Sequence, residues 1–262
     1  MTSTATLPAA RPLTYFFTAA DARGFITSSA YAEAGTQENS ACIPKPKLEQ
    51  DFYDWEGRHA AVTEGQKRIQ PDIVLIGDSI THLWGGEPLE AKGNRGIQAW
   101  NALFGDRKVV NMGFGWDRTQ NVLGRFERGE LDGLWPKLAV IHIGTNNLAG
   151  TKRVRAATAD EIADGVQSVV LQTKAKCPGA RVVLMAVFPR GREAGDPMRA
   201  RVAAINERLV GVAKACGAEW LDLTGRYVGA DGRISEEVMP DGLHPSEKGY
   251  AIWAEALKPY LP

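Results

Sequence analysis

The sequence predicts a three-layer α/β/α sandwich around a parallel sheet of five strands, and three observations carry that reading. Short apolar runs alternate with helix-length amphipathic stretches from residue 48 onward. The runs are continuously apolar, as in strands covered on both faces, instead of alternating apolar and polar. Glycine-bearing polar segments follow three of those runs, where crossovers to helices belong. Right-handed crossovers then place helices on both sides of the sheet and ligands beyond the carboxyl ends of its strands.

Taken in order, residues 48–69 read as a polar-faced helix ending before Pro71. The strand candidates are residues 72–76 (Asp-Ile-Val-Leu-Ile), 108–110 (Lys-Val-Val), 138–143, 181–187 and 219–223. Between the last three, Ile162, Val166, Val169, Val170 and Thr173 share one helical face. Val202, Ile205, Leu209, Val212 and Cys216 share another, with Gly217 as a helix stop. Ser246, after Pro245, starts a final helix. Residues 1–45 differ: Thr, Ala, Ser and Pro dominate, and Tyr15, Phe16, Phe17, Phe25 and Ile26 follow no period. They read as a partly ordered arm, or as aromatics that pack on the domain or a partner subunit. Ile43-Pro44-Lys45-Pro46 reads as a linker to a domain spanning 46–262.

The 262 residues are ample for one core, and 31 basic residues balance 31 acidic ones. No whole-protein field therefore favours nucleic acid or anionic lipid. Cys42, Cys177 and Cys216 have neither disulfide nor zinc spacing and read as packing residues. No apolar stretch reaches the about 18 residues a membrane span needs. No intact signal peptide is expected, so the chain reads as soluble with its compartment open; a removed leader would make it periplasmic or secreted.

Four segments carry chemistry: Gly77-Asp78-Ser79-Ile80, Asn111–Asp117 (Asn-Met-Gly-Phe-Gly-Trp-Asp), Gly144-Thr145-Asn146-Asn147 and Asp241-Gly242-Leu243-His244. A serine is a nucleophile only beside a base. Among four histidines, His59 lies in an amphipathic helix and His142 inside a strand run. His82, one turn beyond Ser79, should point away from it. His244 has a carboxylate three residues earlier; in a turn, Asp241 can fix its tautomer and leave the other ring nitrogen for Ser79. Asp241-Gly242 as a simple turn remains the bland reading. An acyl-transfer site also needs oxyanion donors. The Asn146 amide and a backbone N–H of the 113–116 loop could serve, against the plainer roles of helix cap and tight turn.

These segments resemble the blocks of the SGNH, or GDSL-type, hydrolases. The fuller runs Asn111–Thr119, Gly144–Asn147 and Phe188-Pro189-Arg190-Gly191 most resemble the catalytic subunits of platelet-activating-factor acetylhydrolase isoform I and their bacterial relatives. The likeness runs from about Asp72 to the C-terminus.

The resemblance implies a flavodoxin-like hydrolase without metal or cofactor, with Ser79 as nucleophile, His244 as base and Asp241 as its orienter. The Ser79 N–H, a second-block N–H and the Asn146 side chain would form the oxyanion hole. Where the family usually has glycine, this chain has Trp116, so either Trp116 or Gly115 supplies the second-block donor. The Trp116 indole is expected to shorten the acyl pocket, with Asp78 and Asn147 lining the substrate site. Trp84, Trp100 and Trp116 either stack on a sugar ring or simply pack. The reading is a carboxylic ester hydrolase for short acyl, foremost acetyl, groups on a saccharide or another small alcohol, with a homo-oligomer possible. A lysophospholipase, thioesterase or protease with the same triad, or a non-catalytic assembly subunit, are the alternatives.

Overall fold

Alternate residues of the same strands feed two separate apolar cores, and this divides the molecule into layers. The computed structural model describes residues 38–89 and 93–262. Strands β1 (Ile73–Gly77), β2 (Val109–Gly113), β3 (Leu138–His142), β4 (Arg181–Met185) and β5 (Glu219–Leu221) form one parallel sheet in the order β2-β1-β3-β4-β5. Val74, Ile76, Val110, Met112, Ala139 and Ile141 face one core, while Ile73, Leu75, Val109, Leu138 and Val140 face the other.

Helices cover both faces. On the first lie α1 (Trp55–Ile69), α4 (Thr119–Glu127), α5 (Ala159–Lys176) and α6 (Pro197–Cys216), which contribute Val62, Val122, Val166 and Leu209. On the second lie α2 (Ser79–His82), α3 (Ile97–Phe104), α7 (Thr224–Tyr227) and α8 (Glu247–Leu257), which contribute Ile80, Trp100, Tyr227 and Trp253. Each fully buried aliphatic or aromatic side chain of this kind contributes about 1.5–3 kcal/mol. Local signals set the helix ends. Thr158 and Glu161 form a capping box on α5, Asp196 caps α6, and Gly217 ends α6 in the left-handed region. Cys177 and Cys216 are buried, as packing residues would be.

Two expectations shift. The helix expected over 48–69 begins only at Trp55, because residues 48–53 run as a strap along the rim of the sheet. Glu49 accepts from Thr151 Oγ1 at 2.7 Å, and Tyr53 donates its hydroxyl to the Gly115 carbonyl at 3.1 Å. The packed domain also starts before residue 46: Asn39 Nδ2 donates to the Glu161 carbonyl at 3.1 Å, and Thr119 Oγ1 to the Ala41 carbonyl at 2.8 Å. The aromatics of 15–26 lie outside the described residues.

The order places β1 between β2 and β3, so the chain leaves β1 for one side and returns on the other. That reversal is where open α/β sheets bind ligands. Gly77 at the end of β1 is in register with Gly113 and His142, so the three following loops open side by side.

Candidate active site

Ser79 is the first residue of α2, and the turn that presents it depends on two glycines. A Cβ on Gly77 would lie 2.2 Å from Thr81 Oγ1, and one on Gly113 would lie 2.2 Å from the His82 nitrogen. Both glycines let α2 sit down on the strand ends. Asp78 accepts the Ile80 N–H at 2.9 Å as the helix cap. Ser79 is half-buried, and its hydroxyl lies 2.9 Å from His244 Nε2.

His244 arrives from the other end of the chain. Tyr250 on α8 donates to the Ile80 carbonyl at 2.7 Å, tying the last helix to the serine turn. Asp241 accepts the backbone N–H of His244 at 2.7 Å through one carboxylate oxygen. Its other oxygen lies 2.7 Å from His244 Nδ1. A carboxylate can only accept, so the proton sits on Nδ1 and Nε2 is left to receive the serine proton. Burial would raise the Asp241 pKa, but hydrogen bonds from the His244 backbone and ring, and from Leu243, hold it below the usual value.

The second-block loop is braced from several directions. The Gly115 N–H donates to His82 Nδ1 at 3.2 Å, whereas the Trp116 N–H has no hydrogen-bond partner among the described residues. Trp116 itself lies in the left-handed region, with φ of 62°, and its side chain is 39% exposed. Asn146 is 4% exposed; its Nδ2 donates to the Asp117 carbonyl at 2.9 Å. Arg118 returns the link by donating to the Asn146 and Ala149 carbonyls.

The other histidines are where their surroundings keep them neutral. His82 is buried, and burial first, with the Arg58 and Arg125 cations adding, holds its pKa down at about 2. His142 is buried against Phe188 and Trp253, and burial takes it to about 3. His59 stacks on Trp55.

Several expected pocket residues do not line one. Asp78 is 0% exposed and occupied as a cap; burial pushes its carboxyl up to about 7. Asn147 is also buried: it accepts the Thr119 N–H and donates to Thr119 Oγ1 and Gln120 Oε1, clamping the start of α4. Trp84 and Trp100 lie in the core, with ring centroids 5.7 Å apart, and are closed to a sugar. Of the three rim tryptophans only Trp116 is exposed.

The sequence reading also passed over a buried polar frame under the site. Arg125 donates Nε to Asp117 at 2.8 Å, pairs with buried Glu130, and stacks over Phe114. Trp55 Nε1 holds the other Asp117 oxygen at 2.8 Å, and Arg58 Nε holds the Gly113 carbonyl at 2.7 Å. A signal existed: Arg125 falls within the Val122-Leu123-Phe126 stretch, where a cation needs a buried partner.

Residues 75–252 match the family described as GDSL-like lipase/acylhydrolase. The chain belongs to that family. It is accordingly a carboxylic ester hydrolase. The human platelet-activating factor acetylhydrolase IB subunit alpha1 is 33% identical over 227 residues, covering 86% of this chain and 90% of its own. The rat alpha2 subunit is 32% identical over 215 residues, covering 81% of this chain and 86% of its own. A GDSL-like lipase from Bacteroides thetaiotaomicron superposes with a TM-score of 0.60 at 22% identity, covering 79% of this chain and 98% of its own. An acetylxylan esterase from Geobacillus stearothermophilus does so at 0.58 and 22%, covering 72% and 93%. At those identities the structural likeness speaks for the fold. Among the described residues, no helix is long and apolar enough to cross a membrane.

Proposed function

We propose that this hydrolase removes short acyl groups, foremost acetyl, from a small alcohol carrier such as an acetylated saccharide, through a Ser79–His244–Asp241 triad. The observation that carries the reading is the unbroken line from Ser79 Oγ to His244 Nε2 and from Nδ1 to Asp241. Ser79 Oγ attacks the acyl carbon as His244 takes its proton. The resulting oxyanion meets the Ser79 N–H at the start of α2, the Trp116 N–H and the Asn146 amide. Collapse expels the alcohol, which takes its proton from His244. Water, deprotonated by the same histidine, then releases the acid from the acyl-enzyme.

The choice of Trp116 over Gly115 as donor is supported by the Gly115 N–H being engaged with His82. An acetyl group fits the names of two similar proteins, an acetylhydrolase subunit and an acetylxylan esterase. Incubation with a fluorophosphonate, followed by peptide mass spectrometry, tests the nucleophile. A single adduct on the Ser79 peptide, absent in Ser79→Ala, is expected; an adduct elsewhere or none contradicts the assignment.

A further inference from the structure

Beside the acid–histidine loop lies a cleft of about 390 Å³ that the steps above leave without a role. One wall is the segment after β4, with Arg190, Gly191, Asp196 and Met198; the other is the Asp241–Leu243 loop. The walls are joined where the Gly191 N–H donates to the Gly242 carbonyl at 2.9 Å. Gly191 has φ of 93°, and a Cβ there would lie 2.2 Å from Asp196 Cγ, so glycine lets that carboxylate close over the loop. The volume falls within the roughly 300–1,000 Å³ of small-molecule sites.

Arg190 is half-buried and donates Nη1 to the Thr145 carbonyl at 3.3 Å, one residue before Asn146. Its charge acts on Asp78, next to Ser79, and on Asp196 and Asp241. A guanidinium carries five N–H donors, and this is its one hydrogen bond to the described residues. Asp196 Oδ1 takes the Met198 N–H at 2.8 Å, while its second oxygen accepts from none of the described residues. The cleft therefore sets donors and acceptors of opposite charge side by side, with Met198 and Leu243 as its apolar part.

That combination discriminates between ligands. An anion drawn to Arg190 is repelled by Asp196 and Asp241, and an ammonium meets the reverse. A hydrocarbon chain would cover the guanidinium and carboxylate without giving either a partner, which weighs against it. A hydroxyl both donates and accepts, and suits both. We propose that this cleft holds the alcohol part of the ester, and that Arg190 and Asp196 select an uncharged polyhydroxylated carrier such as a pyranoside. This rests on the esterase reading above and adds the residues that choose its leaving group.

Two readouts test it. In the Ser79→Ala protein, calorimetric titration with methyl 2-O-acetyl-β-D-xylopyranoside should give saturable binding, weakened about tenfold or more by adding Arg190→Met or Met198→Phe. In the otherwise intact protein, Arg190→Met should lower the kcat/KM ratio of that ester to phenyl acetate about tenfold, with part of the ratio recovered by Arg190→Lys. Binding that neither change weakens, or a ratio that stays fixed because both esters lose equally, would overturn the subsite. Binding that depends on Arg190 without hydrolysis of either ester supports the subsite while removing the esterase reading.

Discussion

The Asn146 side-chain amide donates to the Asp117 carbonyl at 2.9 Å, so the loop after β3 holds the loop after β2 in place. An amide nitrogen has two N–H groups, and one remains for an oxyanion. Asn146→Ala should lower kcat by about 10²–10³ with smaller change in KM. Steady-state kinetics on a nitrophenyl ester, with a thermal melt beside it, separates lost stabilisation from a displaced loop.

Ser79→Ala and His244→Ala are each expected to cost several orders of magnitude in kcat/KM while the melting temperature moves little. Asp241→Asn should retain more activity than His244→Ala, since the base remains but its tautomer and orientation are no longer fixed. Equal losses in the two variants would mean that Asp241 does more than orient.

Trp116 sits at φ of 62°, a conformation that costs a non-glycine residue about 1–2 kcal/mol. Trp116→Gly keeps the N–H and relieves the backbone. We expect activity on acetate esters to survive within a few-fold, the protein to be no less stable, and the butyrate-to-acetate rate ratio to rise several-fold. An unchanged ratio would remove the indole from the acyl pocket.

Among the described residues, Arg125 is the one cation that both Asp117 and Glu130 contact, and all three are buried. Arg125→Ala leaves two carboxylates in the core and should cost about 3–5 kcal/mol by urea denaturation. Arg128→Ala removes an exposed pair with Glu56 and a guanidinium contact over the Trp55 ring, both near the surface, and should cost less than Arg125→Ala, about 1 kcal/mol.

Burial raises the Asp78 carboxyl to about 7 in the folded protein, above the roughly 4 of an unfolded chain. Between those values the folded state keeps a proton that the unfolded state has released, so this group's contribution to stability falls as pH rises. Above about 7 the loss is complete. Asp78→Asn lacks this titration, so its stability relative to wild type should increase from pH 4 to 7 and then level off. Urea midpoints at pH 5 and 8 check the sign.

The layered fold and the meeting of Ser79, His244 and Asp241 were legible because each rests on local signals. Short apolar runs marked all five strands to within three residues at either end, and Asp241-Gly242-Leu243-His244 carried its own spacing. What was not legible depends on contacts across the chain. The strap at 48–53 is polar and helix-compatible, and contacts from far along the chain hold it on the rim, among them the Tyr53 bond to Gly115, the Glu49 bond to Thr151 and the Arg153 bond to the Leu48 carbonyl. Asp78 and Asn147 flank Ser79 and Asn146 in sequence, yet their side chains turn inward as a cap and a clamp. Trp84 and Trp100 look like rim residues until α8 brings Tyr250 and Trp253 against Trp84.

The most direct test of the account is the initial rate on p-nitrophenyl esters of increasing acyl length, wild type beside Ser79→Ala. The account predicts a rate that needs Ser79, is highest for acetate and falls steeply by octanoate. Turnover that survives Ser79→Ala, or a maximum at long chains, would contradict it.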